Sequence, residues 1–164
     1  MCAHLRAAIP LLLLVRLVYC RVRGNHDEAV LIGTRPGMRE EARTVVEWLR
    51  AQLGAQHLGF LQKLPRHVEP EDMLFVHAIA WSLGQWGYIL SAFDARSSIA
   101  ATRRRNTFCG HGHEPQLYHM GADWRAAAFK PVAGSAVRLS SQRRWLAIPG
   151  SVGQHRPGAG TQPR

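Results

Sequence analysis

Three short apolar runs in this chain end in the same way, and that repetition limits what it can fold into. "LVYCRV" runs into "RGNHD", "DMLFVHA" ends on His77, and "NTFCG" runs into "HGHEP". Runs of four to eight apolar residues with β-branched and aromatic members, closed by glycine or polar residues, read as buried strands. Strands separated by helical segments build an open α/β sheet, and such sheets gather ligands at the carboxyl ends of their strands. The pattern therefore predicts an α/β fold with a polar site along one edge.

The intervening segments fit this frame. Ala42, Val45, Val46, Leu49 and Leu53 recur at helical spacing on one face, with Arg39, Glu40, Arg43, Glu47 and Arg50 largely elsewhere. Pro36 before that stretch and Gly54 after it mark a helix start and stop. A second short helix over Gln56 to Leu64 carries Leu58, Leu61 and Leu64 and is stopped by Pro65. Leu17 to Val22 reads as the first strand, Trp81 to Tyr88 as a loop, and Ala92 to Thr102 as a helix. "QLYHM", "AAFKPV", "SAVRLS" and "RWLAIPG" alternate and turn like antiparallel strands. No internal repeat is present. Residues 1–154 are expected to form one domain, and the Pro-, Gly- and Arg-rich residues 155–164 a disordered tail.

The 164 residues are enough for one domain with a real core. A hydrophobic content of 46% excludes a disordered chain. The formal charge of +10 draws on scattered arginine, with runs at Arg103-Arg104-Arg105 and Arg143-Arg144. No aromatic platform is interleaved with those runs. The surplus is therefore expected on a solvated surface, not gathered into one groove, and no specific nucleic-acid partner is expected. Cys2, Cys20 and Cys109 are odd in number and lack CxxC spacing, which disfavours a disulfide scaffold and fits a reducing, cytoplasmic setting. The N-terminal apolar run is broken by Arg16, lacks a small-residue cleavage pattern and is too short to span a bilayer. No membrane partner is expected, and oligomeric state is not readable.

Each polar cluster has a plain reading and a chemical one. Asn25-His26-Asp27 after Gly24 is equally a turn or a helix cap. A histidine ending a strand, as His77 does, is ordinarily a rim residue. His111 and His113 flank Gly112; in an extended loop both imidazoles point to one side, which suits either a polar turn or a metal. Gly150-Ser151-Val152-Gly153-Gln154 has no Walker lysine and reads as a turn. Taken together, Asn25, His77, His111 and His113 supply one amide oxygen and three imidazoles. That N/O set suits Zn, Mn, Fe or Ni better than Ca or Mg.

In order, "VRGNHD", "LFVHA", "FCGHGHEPQLY" and "RWLAIPGSVGQ" resemble the calcineurin-like metallophosphoesterases, especially the small phosphodiesterase-like branch of bacteria and archaea. Members of that branch read GNHD or GNHE, then VHA or VHG, then GHTH followed by Pro, then NPGSVGQPR. The resemblance runs from Leu17 to Gln154. It implies an α/β/β/α sandwich, here a partial one lacking its first strands, and a centre of two divalent metals that hydrolyses phosphate mono- or diesters. By the resemblance, Asn25, His77 and His111 match ligands of the second metal and His113 a ligand of the first. His26 matches the acid or charge stabiliser at the leaving oxygen, and Asp27 the residue that orients it.

The chain also departs from the pattern. The family's Asp-x-His and Gly-Asp-x-x-Asp motifs are absent; the aspartates are Asp27, Asp72, Asp94 and Asp123. Gly112 stands for the usual Thr, Ile148 for Asn, and Ile79-Ala80 for Ser-Pro. The resemblance thus implies an incomplete dinuclear site, and as its alternative an inactive truncated remnant or a non-enzymatic protein that binds a single metal.

Overall fold

The structure, a computed structural model, describes residues 21–132 and 134–150. Helices α1 (Asn25–Ile32), α2 (Glu40–Gln52) and α3 (Ala55–Lys63) come first. Strands β1 (His67–Val68) and β2 (Met73–Val76) follow, then helix α4 (Ala92–Ala100) and strand β3 (Asn106–Cys109). Strands β4 (Gln116–Met120), β5 (Ala126–Phe129) and β6 (Arg144–Ile148) complete one sheet of order β1-β2-β3-β6-β4-β5. Its centre is parallel: β2 pairs with β3, and β3 with β6. The flanking pairs, β1 with β2, β4 with β6 and β4 with β5, are antiparallel.

Alternation along the strands sets the core. Leu74 and Val76 of β2 and Thr107 and Cys109 of β3 are buried, with half-buried residues between them. Leu74, Val76, Cys109, Tyr118, Met120, Leu146 and Ile148 pack with Ala95 and Ile99 of α4. The half-buried set includes Phe75 and Phe108, paired in register and stacked at 4.8 Å. Burial pushes the Cys109 thiol up to about 12, so it sits in the core as an unreactive hydrophobe. A second cluster joins the first three helices through Ala29, Val30 and Val46, flanked by Leu49, Leu53, Leu58 and Leu61.

Several expectations need correction. Leu17–Cys20 of the expected first strand lie outside the described residues, as do residues 1–16 and the expected tail at 155–164; Arg21 to Gly24 are not in a strand. "GNHD" opens a helix instead of closing a strand. Val45, assigned to the inner face of α2, is 51% exposed, because the short first helix covers only the strip centred on Val46. "SAVRLS" forms no strand and is exposed throughout. "RWLAIPG" is antiparallel to β4 but parallel to β3. Part of the surplus arginine, expected to be spread over the surface, is gathered: Arg103, Arg105, Arg143 and Arg144 line one cavity. Among the described residues no helix is long and apolar enough to cross a membrane.

Candidate metal site

Three elements bring Asn25 and His111 to one ring nitrogen of His77. Asn25 is the first residue of α1, His77 follows the last residue of β2, and His111 follows β3 after a single glycine. Parallel pairing of Val76 with Cys109 fixes the last two side by side. Asn25 Oδ1 lies 2.9 Å from His77 Nε2, and His111 Nδ1 lies 3.2 Å from that same nitrogen.

Tight backbone approach makes this possible. A Cβ on Gly24 would stand 3.0 Å from His77 Cε1 and 3.1 Å from its Nδ1. Glycine at this position therefore lets the start of α1 close on the imidazole. His111 has φ of +39°, an uncommon value for a side-chain-bearing residue, which turns its ring back toward His77. The loop between β2 and α4 backs both rings. Tyr88 stacks on His111 at 4.2 Å, and Trp86 meets His77 edge-on at 5.6 Å.

Electrostatics keep both imidazoles neutral at pH 7. His77 is lowered from 6.5 to about 4, first by burial and then by His111, with Asp27 pulling the other way. His111 is also lowered, first by burial, against the hydrogen bond its ring donates to the Trp86 backbone carbonyl, which raises it. Neutral imidazole is the form that binds a cation.

The donor set can be tested against a metal ion. Metal–nitrogen bonds of about 2.0–2.1 Å at angles between 90° and tetrahedral separate neighbouring donors by roughly 2.9–3.4 Å. The observed 2.9 and 3.2 Å fall inside that interval. Three donors that all carry lone pairs, two of them uncharged imidazoles, fit one side of a single divalent ion. No group of three or more His, Cys, Asp or Glu side chains poised for a metal occurs among the described residues, so the trio relies on the asparagine.

The remaining expected residues lie around this trio. His26, the second residue of α1, is exposed, and its charge bears on both His77 and His111. His113 is exposed and bears on the same two rings, but makes no hydrogen bond with the trio. Asp27 turns back along its own helix: its Oδ2 accepts the Gly24 N–H at 2.8 Å. The start of α1 thus uses two side chains differently: Asp27 turns back to the helix cap, and Asn25 turns toward His77. Trp86 and Tyr88, which seat the two histidines, were not singled out as site residues, since aromatic residues in a loop give no spacing that marks them as supports.

No protein-family model matches the chain. No curated protein matches it. Among solved structures, the crystal structure of a metallophosphoesterase from Sphaerobacter thermophilus matches with a TM-score of 0.66 and 32% identity. The match covers 84% of this chain and 56% of that one, so this chain spans a little over half the length of its structural neighbour. The fold is metallophosphoesterase-like.

Proposed function

We propose that this chain carries one metal-holding half of a phosphoesterase centre, with Asn25, His77 and His111 as the ligands of one divalent ion. The supporting observation is the meeting of Asn25 Oδ1, His77 Nε2 and His111 Nδ1 from three separate elements. A bound divalent ion supplies Lewis acidity toward a phosphate oxygen and acidifies a water that it holds.

The chain's own residues add two things. The start of α1 points free N–H groups and the positive end of a helix dipole toward the same region, which favours a phosphate ester. His26, exposed at that helix start, would give a proton to the leaving oxygen. Asp27 acts through the fold, holding the helix start where Asn25 reaches His77.

Hydrolysis of phosphate mono- or diesters belongs to the complete two-metal centre. By the resemblance, the ligands of the first metal are represented by His113 alone, and among the described residues no carboxylate joins the trio. The chain as given therefore binds one ion and does not turn over esters by itself. Calorimetric titration with Mn²⁺ tests this. One ion per chain is expected, with affinity falling at least about tenfold in Asn25→Ala or His111→Ala. Bis(4-nitrophenyl) phosphate should be hydrolysed at the background rate. Failure to bind an ion would sink the site. Robust turnover that disappears in His26→Ala would sink the one-ion reading and show a complete centre.

A further inference from the structure

At the opposite end of the sheet the two arginine runs meet. Asn106 of β3 pairs with Trp145 of β6 in a parallel register. The residues just before them, Arg105 and Arg144, are therefore neighbours although 39 positions apart, and Trp145 N–H donates to Arg105 O at 2.7 Å. Arg103 and Arg143 flank them. With Asp72, Ser141 and Gln142 these residues line a cavity of about 210 Å³.

The four guanidinium groups are not equivalent. Arg144 is structural: its guanidinium donates to the carbonyls of Ile99, Thr102 and Arg104, closing the end of α4. Arg105 is paired with Asp72 at 3.1 Å. Arg143 lies over His119, its Nη1 3.0 and 3.2 Å from the two ring nitrogens. That ring is lowered by burial and by Arg143 itself, so it does not compete as a cation. Arg103 has no ion-pair partner among the described residues and is exposed. One carboxylate thus faces four guanidiniums; Arg105 is paired with it, Arg144 is held by backbone carbonyls, and Arg103 and Arg143 have neither.

We propose that this cavity binds a small phosphate anion, of the size of phosphate or pyrophosphate, through Arg103, Arg105 and Arg143. Guanidinium groups present planar pairs of N–H donors that match phosphate oxygens, and charge-assisted bonds of this kind are the strong ones. The cavity is smaller than the roughly 300–1,000 Å³ of pockets for drug-sized ligands, which suits an inorganic anion. Its hydroxyl and amide side chains, Ser141 and Gln142, add polar contacts without charge. The site lies at the amino ends of β2, β3 and β6, away from the histidines at their carboxyl ends, and does not depend on a metal there.

The test is calorimetric titration of the full chain with pyrophosphate in EDTA, beside inorganic phosphate and a short DNA duplex. One pyrophosphate per chain is expected. Arg103→Gln and Arg143→Gln should each weaken it about tenfold, with thermal melting unchanged. Arg96→Gln, an exposed arginine of α4 outside the cavity, should leave it alone, as should His111→Ala at the other end of the sheet. Absence of saturable pyrophosphate binding would overturn the proposal. So would binding indifferent to Arg103 and Arg143, or binding lost in His111→Ala. A duplex that binds through these arginines while pyrophosphate does not would reassign the site to a nucleic-acid backbone and overturn the small-anion assignment.

Discussion

The two ends of the parallel strands β2, β3 and β6 carry opposite chemistry on one scaffold. At the carboxyl ends stand His77 and His111, partly buried, neutral and 3.2 Å apart. At the amino ends stand Asp72, Arg105 and Arg144, in a cavity that remains cationic. One end offers lone pairs and suits a cation; the other offers N–H donors and suits an anion. The difference shows that parallel pairing makes two sites from one alignment. Once Phe75 sits beside Phe108 and Asn106 beside Trp145, whatever follows and precedes those strands is brought together.

Loosening the shared centre should therefore damage both ends, and this is the largest effect expected. Leu146 is fully buried in the middle of β6, and Leu146→Ala leaves a cavity there. Such truncations cost about 2–5 kcal/mol. Urea denaturation should show that loss, and both Mn²⁺ and pyrophosphate should bind more weakly in the variant. If only one ligand is affected, the ends are built independently and the comparison breaks.

The next effect separates the ends by pH. His77 titrates at about 4 in the folded chain against 6.5 when unfolded. Between these values the unfolded chain binds more protons, so stability rises with pH from about 4 to 6.5 and is flat above. Its size, discounted for partial exposure, is about 2 kcal/mol. His111 contributes with the same sign. At the arginine end, His119 is also lowered, first by burial and then by Arg143, and so contributes with the same sign. Urea midpoints in EDTA between pH 4.5 and 7.5 should therefore slope in the native chain and in His119→Gln, and flatten most in His77→Gln. A slope that survives His77→Gln and vanishes in His119→Gln would move the pH-sensitive group to the arginine end.

How legible these ends were in the sequence follows from what fixes each. The histidine end is written in short segments: His77 and His111 each follow a strand within one or two residues and so stand out without knowledge of the pairing, whereas Asn25 opens a helix and was marked by the family resemblance. The α2 helix was legible because its apolar stripe repeats locally. The arginine cavity was not, because Arg103–Arg105 and Arg143–Arg144 meet only through the register of β3 on β6, a long-range fact. "SAVRLS" alternates like a strand, yet it pairs with neither edge of the sheet, and its apolar members Val137 and Leu139 stay 36% and 41% exposed. Alternation without a partner does not make a strand.

The smallest effect concerns the acidic group that bears on His77. Asp27 Oδ2 accepts the Gly24 N–H, satisfying one donor at the start of α1 and placing negative charge in its first turn. Each contribution is modest, and Asp27→Ala should cost about 1 kcal/mol in urea denaturation. Asp27→Asn keeps an acceptor oxygen and loses the charge, so it should cost only a few tenths. Because Asp27 raises the pKa of His77, both variants should move the His77 midpoint below 4, followed by NMR in EDTA. Mn²⁺ affinity should change less than about threefold, since Asp27 supports the helix start and touches none of the three donors. A loss of Mn²⁺ binding as large as that of His111→Ala, with stability unchanged, would make Asp27 a ligand. The carboxyl ends of the strands would then owe their cation preference to charge, and the contrast between neutral donors at one end and charged ones at the other would fail.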